Sequence, residues 1–295
     1  MDGLDRSSSS PSRGQVCLAA SLVCIAVAAA MALPGRPAAN RESADPEDRT
    51  FVDGVYANPY FGLRYPLPPG WREGLRPARP SYTGYYVLIT PAPPETAKAT
   101  ILIAAQDEFF AEKPMMDARA LLQDMARSLP GADPTAAPTT VRIAAHRFFR
   151  LEIRGTPLSR IVLATEIRCH IVIFTFTGSP PEQLKRLAAS LENLSFAPDS
   201  GAPVCIKGYA AVPTIRRSVE PIPAGPRFAR IAVRIIIGAD GKVRHTHVIR
   251  AFSEQQKNIA DALRTWRFEP YLTDRRPAEI ETGLTFEFRP AGRGD

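Results

Sequence analysis

Cysteine is scarce. Four in 295 residues are too few to staple a small disulfide scaffold, and no C-x-x-C pair or Cys/His metal spacing occurs. Glycine, at 19, is far too sparse for a collagen-like chain. Long apolar runs are missing except for one, which excludes a transporter with many spans. The chain has no Gly-rich phosphate loop and no G-x-S-x-G nucleophile elbow. Lysine is nearly absent too: of 37 basic residues only Lys98, Lys113, Lys185, Lys207, Lys242 and Lys257 are lysines. What is present reads as an ordinary globular protein, 45% apolar and 23% charged, with room for about two domains. Two features stand out from that background, 29 prolines and a formal net charge of +7.

The one apolar run, Val16 to Leu33, follows a polar segment carrying Arg6 and Arg13 and is followed by Pro34, Gly35 and a polar stretch. It reads as a secretory signal peptide or a single membrane anchor, with small residues at Ala28, Ala30 and Ala32 as possible cleavage positions. Either reading exports everything beyond residue 35 into a periplasmic space, soluble after cleavage or anchored in the inner membrane. Cys169 and Cys205 are then the two exported cysteines. They pair with each other, or stay buried and unpaired.

Residues 36–50 are polar, with Pro37 and Pro46, and read as a linker. From 51 to 198 strand and helix patterns alternate. Phe61 to Pro66, Tyr85 to Thr90 and Thr100 to Ala105 have strand patterning, as do Thr139 to Ala145, Arg147 to Arg154 and Ser159 to Thr177. Ala118, Leu121, Leu122, Met125, Ala126 and Leu129 recur on one helical face, with Asp117 as the natural N-cap. Ser179-Pro180-Pro181-Glu182 opens a second helix that runs to about Asn193. Residues 199–225 lack periodicity and read as a second linker. Beyond it, Arg230 to Ile237 and Lys242 to Arg250 form a hairpin about Asp240-Gly241. Ser253 is placed to cap a helix from Glu254 to about Thr265, and Glu281 to Arg289 is a last strand.

Two stretches resemble known families. Ile231 to Val243, then Val248, then Leu263-Arg-Thr-Trp-Arg-Phe-Glu-Pro270 and Gly283-Leu-Thr-Phe-Glu-Phe288 resemble the C-terminal domain of TonB-family proteins, over about residues 212–290. Gly241, Val243, Trp266, Phe268 and Pro270 carry that motif. More loosely, Phe61-Gly-Leu-Arg-Tyr-Pro-Leu-Pro-Pro-Gly-Trp71 and the Leu194-Ser-Phe196 ending are similar to the PsbP-like sandwich. The first resemblance implies a unit that binds an extended segment of an envelope partner. The second implies an accessory role without a shared catalytic set. Departures from the TonB pattern are visible: the apolar run has Ser21 but no histidine, a folded stretch replaces the long Pro-rich spacer, and Pro221-Ile-Pro223 stands where Tyr-Pro is usual.

The expected fold class is therefore α+β. The export segment (1–35) and linker (36–50) lead into an α/β/α sandwich with a mainly antiparallel sheet (51–198). A linker (199–225), a small TonB-like domain of antiparallel strands with one packed helix (226–290) and a tail (291–295) follow. The expected partner-binding edge is the last strand, through Thr282, Leu284, Thr285, Phe286, Glu287 and Phe288. His245-x-His247 places two imidazoles on one strand face, where a solvated face outweighs a metal site, unless a bulge between Val243 and Val248 turns one away. Asp107, Glu108 and Glu112 read as solvated acids, and His146 and His170 as packing residues. No catalytic residue, cofactor or metal is expected, and nucleic acid is excluded as a partner. The partner is an envelope protein or extended peptide; the alternative is a periplasmic ligand-binding or assembly accessory protein centred on residues 51–198, with the C-terminal domain used for dimerisation. Possible transport across the outer membrane follows from the TonB resemblance alone. The charge surplus is +5 over residues 199–295, sixteen basic against eleven acidic, and suggests acidic peptides or anionic surfaces.

Overall fold

The computed structural model describes residues 44–112, 117–129, 132–155, 157–198, 202–223 and 229–288. The apolar run Val16–Leu33, the expected cleavage positions, most of the first linker and the 291–295 tail lie outside them. The described region opens with β1 (Thr50–Val52), β2 (Val55–Asn58), β3 (Leu63–Pro66), β4 (Tyr85–Ile89) and β5 (Ala99–Asp107), followed by α1 (Ala118–Ser128). Next come β6 (Thr139–Ile143), β7 (His146–Ile153), β8 (Ser159–Ile167), β9 (His170–Gly178), α2 (Pro181–Ala189) and β10 (Ser195–Phe196). The C-terminal region holds β11 (Val204–Cys205), β12 (Ile215–Arg217), β13 (Arg230–Ile237), β14 (Val243–Val248), α3 (Ser253–Thr265), β15 (Arg267–Phe268), β16 (Tyr271–Thr273), β17 (Arg276–Ala278) and β18 (Ile280–Glu287). This is an α+β fold, largely of antiparallel strands with few helices.

The largest sheet runs β4-β5-β9-β8-β7-β6, with every neighbouring pair antiparallel. Alternation along its strands splits the side chains between two faces. One face carries Phe149, Leu151, Val162, Ala164 and Ile173, and α1 covers it with Ala118, Leu122 and Ala126. The Asp117 carboxylate accepts from the Ala120 N–H at 2.6 Å, so the capping residue read from the sequence caps this helix. The opposite face carries Ile101, Ile103, Leu163, Phe174 and Phe176, covered by Leu184 and Ala188 of α2 and by Tyr56, Leu63 and Tyr65 of a smaller sheet, β1-β2-β3-β10.

The turn between β8 and β9 has no glycine. Arg168 and Cys169 both take positive φ, 47° and 58°, conformations that side chains of this kind seldom adopt. The long pattern from Ser159 to Thr177 therefore breaks where no turn residue marks it.

In the C-terminal region, β11-β18-β13-β14 form one sheet, with β11 parallel to β18 and the other pairs antiparallel. Ile231, Val233, Ile235 and Ile237 of β13 pack with Ile259, Leu263 and Trp266 beside α3. Ala232, on the alternate face, joins the core of the larger sheet instead. β13 is thus buried on both faces, apart from its first residue.

Three local expectations change. Ser253 is the first helical residue of α3 and Phe252 occupies the cap, with no side-chain cap hydrogen bond. Residues 202–223, read as linker, contribute β11, a 3₁₀ turn at Val212–Thr214 and β12, which pairs with β15. The return strand carries a bulge: Ile237 pairs with Val243 but Ile236 with His245, leaving Arg244 as the extra residue. The bulge precedes both histidines, so His245 and His247 stay on one face. Gly241 takes φ +75°, and a Cβ there would stand 2.2 Å from the Phe268 carbonyl, so the hairpin and the Trp266–Phe268 element meet only over a glycine.

Candidate functional site

Where β13 and β18 face the larger sheet, charge is buried. Arg234, on the face opposite α3, is 2% exposed. Its guanidinium donates to Asp107 Oδ2 at 2.5 Å and to Glu281 Oε1, with Nε at 3.2 Å. It also stacks over Phe109, 4.7 Å from the ring centroid. Arg168 pairs with Glu281 Oε2 at 3.3 Å and lies 4.0 Å over the Tyr60 ring. Tyr60 Oη donates to Glu281 Oε1 at 2.8 Å. Each buried carboxylate has a cation and at least one further donor, the condition under which burying charge is tolerated. Burial pushes Glu281 up, but Arg234, Arg168 and the donors to it outweigh that and hold it below the ordinary range. For Asp107 burial wins over the pull of Arg234, and its acidity is weakened. Gly283 permits a close approach here: a Cβ there would stand 2.7 Å from Phe110 and 2.8 Å from Phe109. Asp107, read as a solvated acid, is instead the fully buried partner of Arg234. No sequence signal marks this, because Arg234 sits in an apolar strand whose second buried face belongs to a distant stretch.

His170 packs edge-on against Tyr60, Phe61 and Tyr86. Its Nδ1–H donates to the Arg168 carbonyl at 2.7 Å. Burial, with Arg234 and Arg168 nearby, drives its pKa well below the usual imidazole value. His247 lies across Tyr86 and behaves oppositely. Its Nδ1 lies 3.1 Å from Asp45 Oδ1 and its Nε2 3.3 Å from Glu47 Oε2. Burial alone would lower it, but the bond to Asp45 and the charges of Glu47 and Asp45 raise it. Burial likewise pushes Asp45 up, yet hydrogen bonds from His245, at 2.8 Å, and His247 bring its pKa far below normal. The pair on β14 is therefore not a solvated face. It clamps the strap at Asp45 and Glu47. Among the described residues no group of three or more His, Cys, Asp or Glu is placed to hold a metal ion. His146 stacks on Phe196, with ring centroids 4.2 Å apart.

Cys169 and Cys205 are joined as a disulfide, with 5.8 Å between the Cα atoms. The bond ties the β8–β9 turn to β11.

The last strand is covered over one stretch and open over another. Val204 N–H donates to the Glu279 carbonyl at 2.9 Å and Ile206 N–H to the Glu281 carbonyl at 3.0 Å. Those carbonyls point away from β13. Phe288 N–H donates to the Ala229 carbonyl at 2.7 Å, so even-numbered residues point toward β13. By alternation the backbone groups of Gly283, Thr285 and Glu287 face outward, with no backbone partner among the described residues. Of the residues expected to form the binding edge, Thr285 and Glu287 supply outward backbone groups, while Thr282, Leu284 and Phe286 direct theirs to β13. Leu284, Phe286 and Phe288 pack toward Trp266. Beside the open stretch lies a groove of about 620 Å³ lined by Pro221, Pro223, Trp266, Leu284, Phe286 and Phe288, among others. Trp266 Nε1–H donates to the Val219 carbonyl at 2.9 Å, which anchors the groove wall. The charged residues lining it, Glu220 and Glu287, are both acidic, opposite to the surplus of the C-terminal region as a whole.

No family model matches the chain, so the TonB resemblance gains no support at that level. No curated protein matches it either. Among solved structures it is similar to the cyanobacterial PsbP protein of Synechocystis, at 12% identity and a TM-score of 0.34, over 50% of this chain and 95% of that one. It is also similar to a Pseudomonas aeruginosa protein of unknown function, at 15% identity and a TM-score of 0.26, over 51% of this chain and 97% of that one.

Proposed function

We propose that the chain is an exported, non-catalytic accessory protein that acts by binding an extended segment of another envelope protein along the outer edge of β18. The observation that carries this reading is the row of outward backbone groups at Gly283, Thr285 and Glu287 beside an apolar groove. Unpaired strand groups recruit an extended chain, and a groove next to them selects its side chains. Two further observations agree with it. The histidines and acids with the right chemistry for catalysis are engaged in ion pairs and packing. A disulfide between distant segments suits an oxidising compartment beyond an export signal. The acidic lining favours a segment that carries Lys or Arg beside apolar residues, a narrower choice than the overall charge suggests. Outer-membrane transport remains the TonB-specific extension of this reading.

A second reading is a homodimer through the same edge. Antiparallel pairing of two copies about Thr285 would set Gly283 against Glu287 and bring no like charges opposite each other.

The test is a random library of linear peptides displayed on phage and panned on the full chain, with Thr285→Pro as the control. Proline removes one outward N–H and leaves the β13 ladder intact. Selected peptides should bind the wild type and lose affinity for the variant. Equal binding to both, or no peptide selected by a monomeric protein, defeats the edge reading. A dimer in sedimentation that Thr285→Pro dissociates selects the second.

A further inference from the structure

The outer edge of β18 already has one occupant, and it belongs to this chain. β11 covers Ile280 and Glu281 and stops where the open stretch begins. Its own hold is slight. It is two residues long, both exposed, and the backbone bonds that fasten it to the strand come from Val204 and Ile206. Single backbone hydrogen bonds contribute little net stability. What pins it is the bond from Cys205 to Cys169.

We propose that Cys169–Cys205 is a redox latch that sets how much of the β18 edge is open. Bonded, it keeps β11 on Ile280 and Glu281. Reduced, it lets β11 leave, and the outward groups of Glu281 join those of Gly283, Thr285 and Glu287 in one longer edge. The proposal concerns regulation of the edge and rests on the binding reading above only for its biological purpose.

The surroundings confine the change to β11. Glu281 is held by Arg234 and Tyr60, which stand on elements without the sulfurs, as well as by Arg168 in the turn that carries Cys169, so β18 keeps its place. On the other side Tyr209 and Ala210 pack on the C-terminal core with Ile206 partly buried beside them, and Tyr209 Oη donates to the Glu269 carbonyl at 2.6 Å. Release therefore includes the Ile206 amide and stops before Tyr209. The two sulfurs differ in access, since Cys205 is exposed and Cys169 buried. A dithiol reductant, small or carried by an exchange protein, would attack Cys205 Sγ and form a mixed disulfide. Cys169 leaves as the thiolate and takes a proton. The second thiol of the reductant then attacks the mixed disulfide, closes the reductant into its own disulfide and releases Cys205 as a thiol. Two electrons and two protons pass from the dithiol to the cysteine pair.

Hydrogen exchange on the full chain tests this, comparing the oxidised protein, the dithiothreitol-treated protein and Cys205→Ser. The Val204 and Ile206 amides should exchange at least about tenfold faster in the last two, while Leu284 and Phe286, which face β13, keep their protection. Unchanged exchange at Val204 and Ile206 overturns the latch. Loss of protection at Leu284 and Phe286 as well also overturns it, because the disulfide is then a staple for the whole sheet. The phage-selected peptides separate the two proposals. Faster exchange at Val204 and Ile206 with peptides bound by neither form supports the latch and defeats the binding reading. Tighter peptide binding after reduction supports both.

Discussion

The two faces of β13 are built by different rules. One, with Val233 and Ile235, lies under α3 and is held by apolar burial alone. The other, with Ala232 and Arg234, lies against the larger sheet and is held by a guanidinium between two carboxylates. Burial is near-complete on both, yet the apolar face tolerates adjustment and the charged face does not. A cavity costs in proportion to its size, whereas an unpaired buried charge costs the whole desolvation of the group left behind.

The contrast is broken most severely by Arg234→Ala. It strands Asp107 without its cation and leaves Glu281 to Arg168 alone, and denaturant unfolding should show a loss of about 3–5 kcal/mol. Val233→Ala, on the other face, should cost less, about 2 kcal/mol, with the denaturant slope unchanged. If the two lose equal stability, the distinction between the faces is false.

Smaller again is the pH dependence of the clamp on β14. His247 has a raised pKa in the fold, so its charged pairing is fully present below the unfolded value near 6.5 and is lost as pH rises through the folded value. Asp45 has a depressed one, so its contribution is present above about 3.8 and fades as pH falls through its folded value. Stability should therefore decline as pH rises above about 6.5, and His247→Gln should flatten that decline in urea melts run across the range. His170 sharpens the comparison. Already neutral across this range, it should show no imidazole titration by NMR above about pH 6.5. The smallest effects lie at the helix starts. Asp117→Ala should cost about 1 kcal/mol, while Ser253→Ala, where no side-chain cap bond exists, should fall within about 0.5 kcal/mol.

What can be read from the residues follows the same division. Strands and helices with one buried face announce themselves by period, which is why α1, α3 and the β13–β14 hairpin stand out in the sequence. Asp117 is legible because a cap is a local event. Ser253 looks the same but sits one residue inside the helix. The Arg168–Cys169 turn is not legible, since it uses positive φ without glycine or asparagine. The Arg234 cluster cannot be read at all. Its members are as much as 221 residues apart, as Tyr60 and Glu281 are, and each looks like an ordinary surface group until the fold brings them together. The edge of β18 is legible as a strand, but which of its residues face outward needs the registers with β11 and β13. The histidine pair is legible as a pair; its acids, placed by the strap at Asp45 and Glu47, are not.

That strap has a mechanical meaning. His245 lies 2.8 Å from Asp45, 200 residues along the chain, so the beginning of the described region is fastened to the C-terminal region as well as to β2, where Asn58 Nδ2 donates to the Pro46 carbonyl at 2.8 Å. A pull applied at Ala44 would load three imidazole–carboxylate contacts, His245–Asp45, His247–Asp45 and His247–Glu47, and the Asn58–Pro46 bond before it reached any strand ladder. Those contacts would give way in succession, as a zip opens, ahead of the β1–β2 ladder. The strap is therefore a fuse set ahead of β1, and its breaking strength depends on pH.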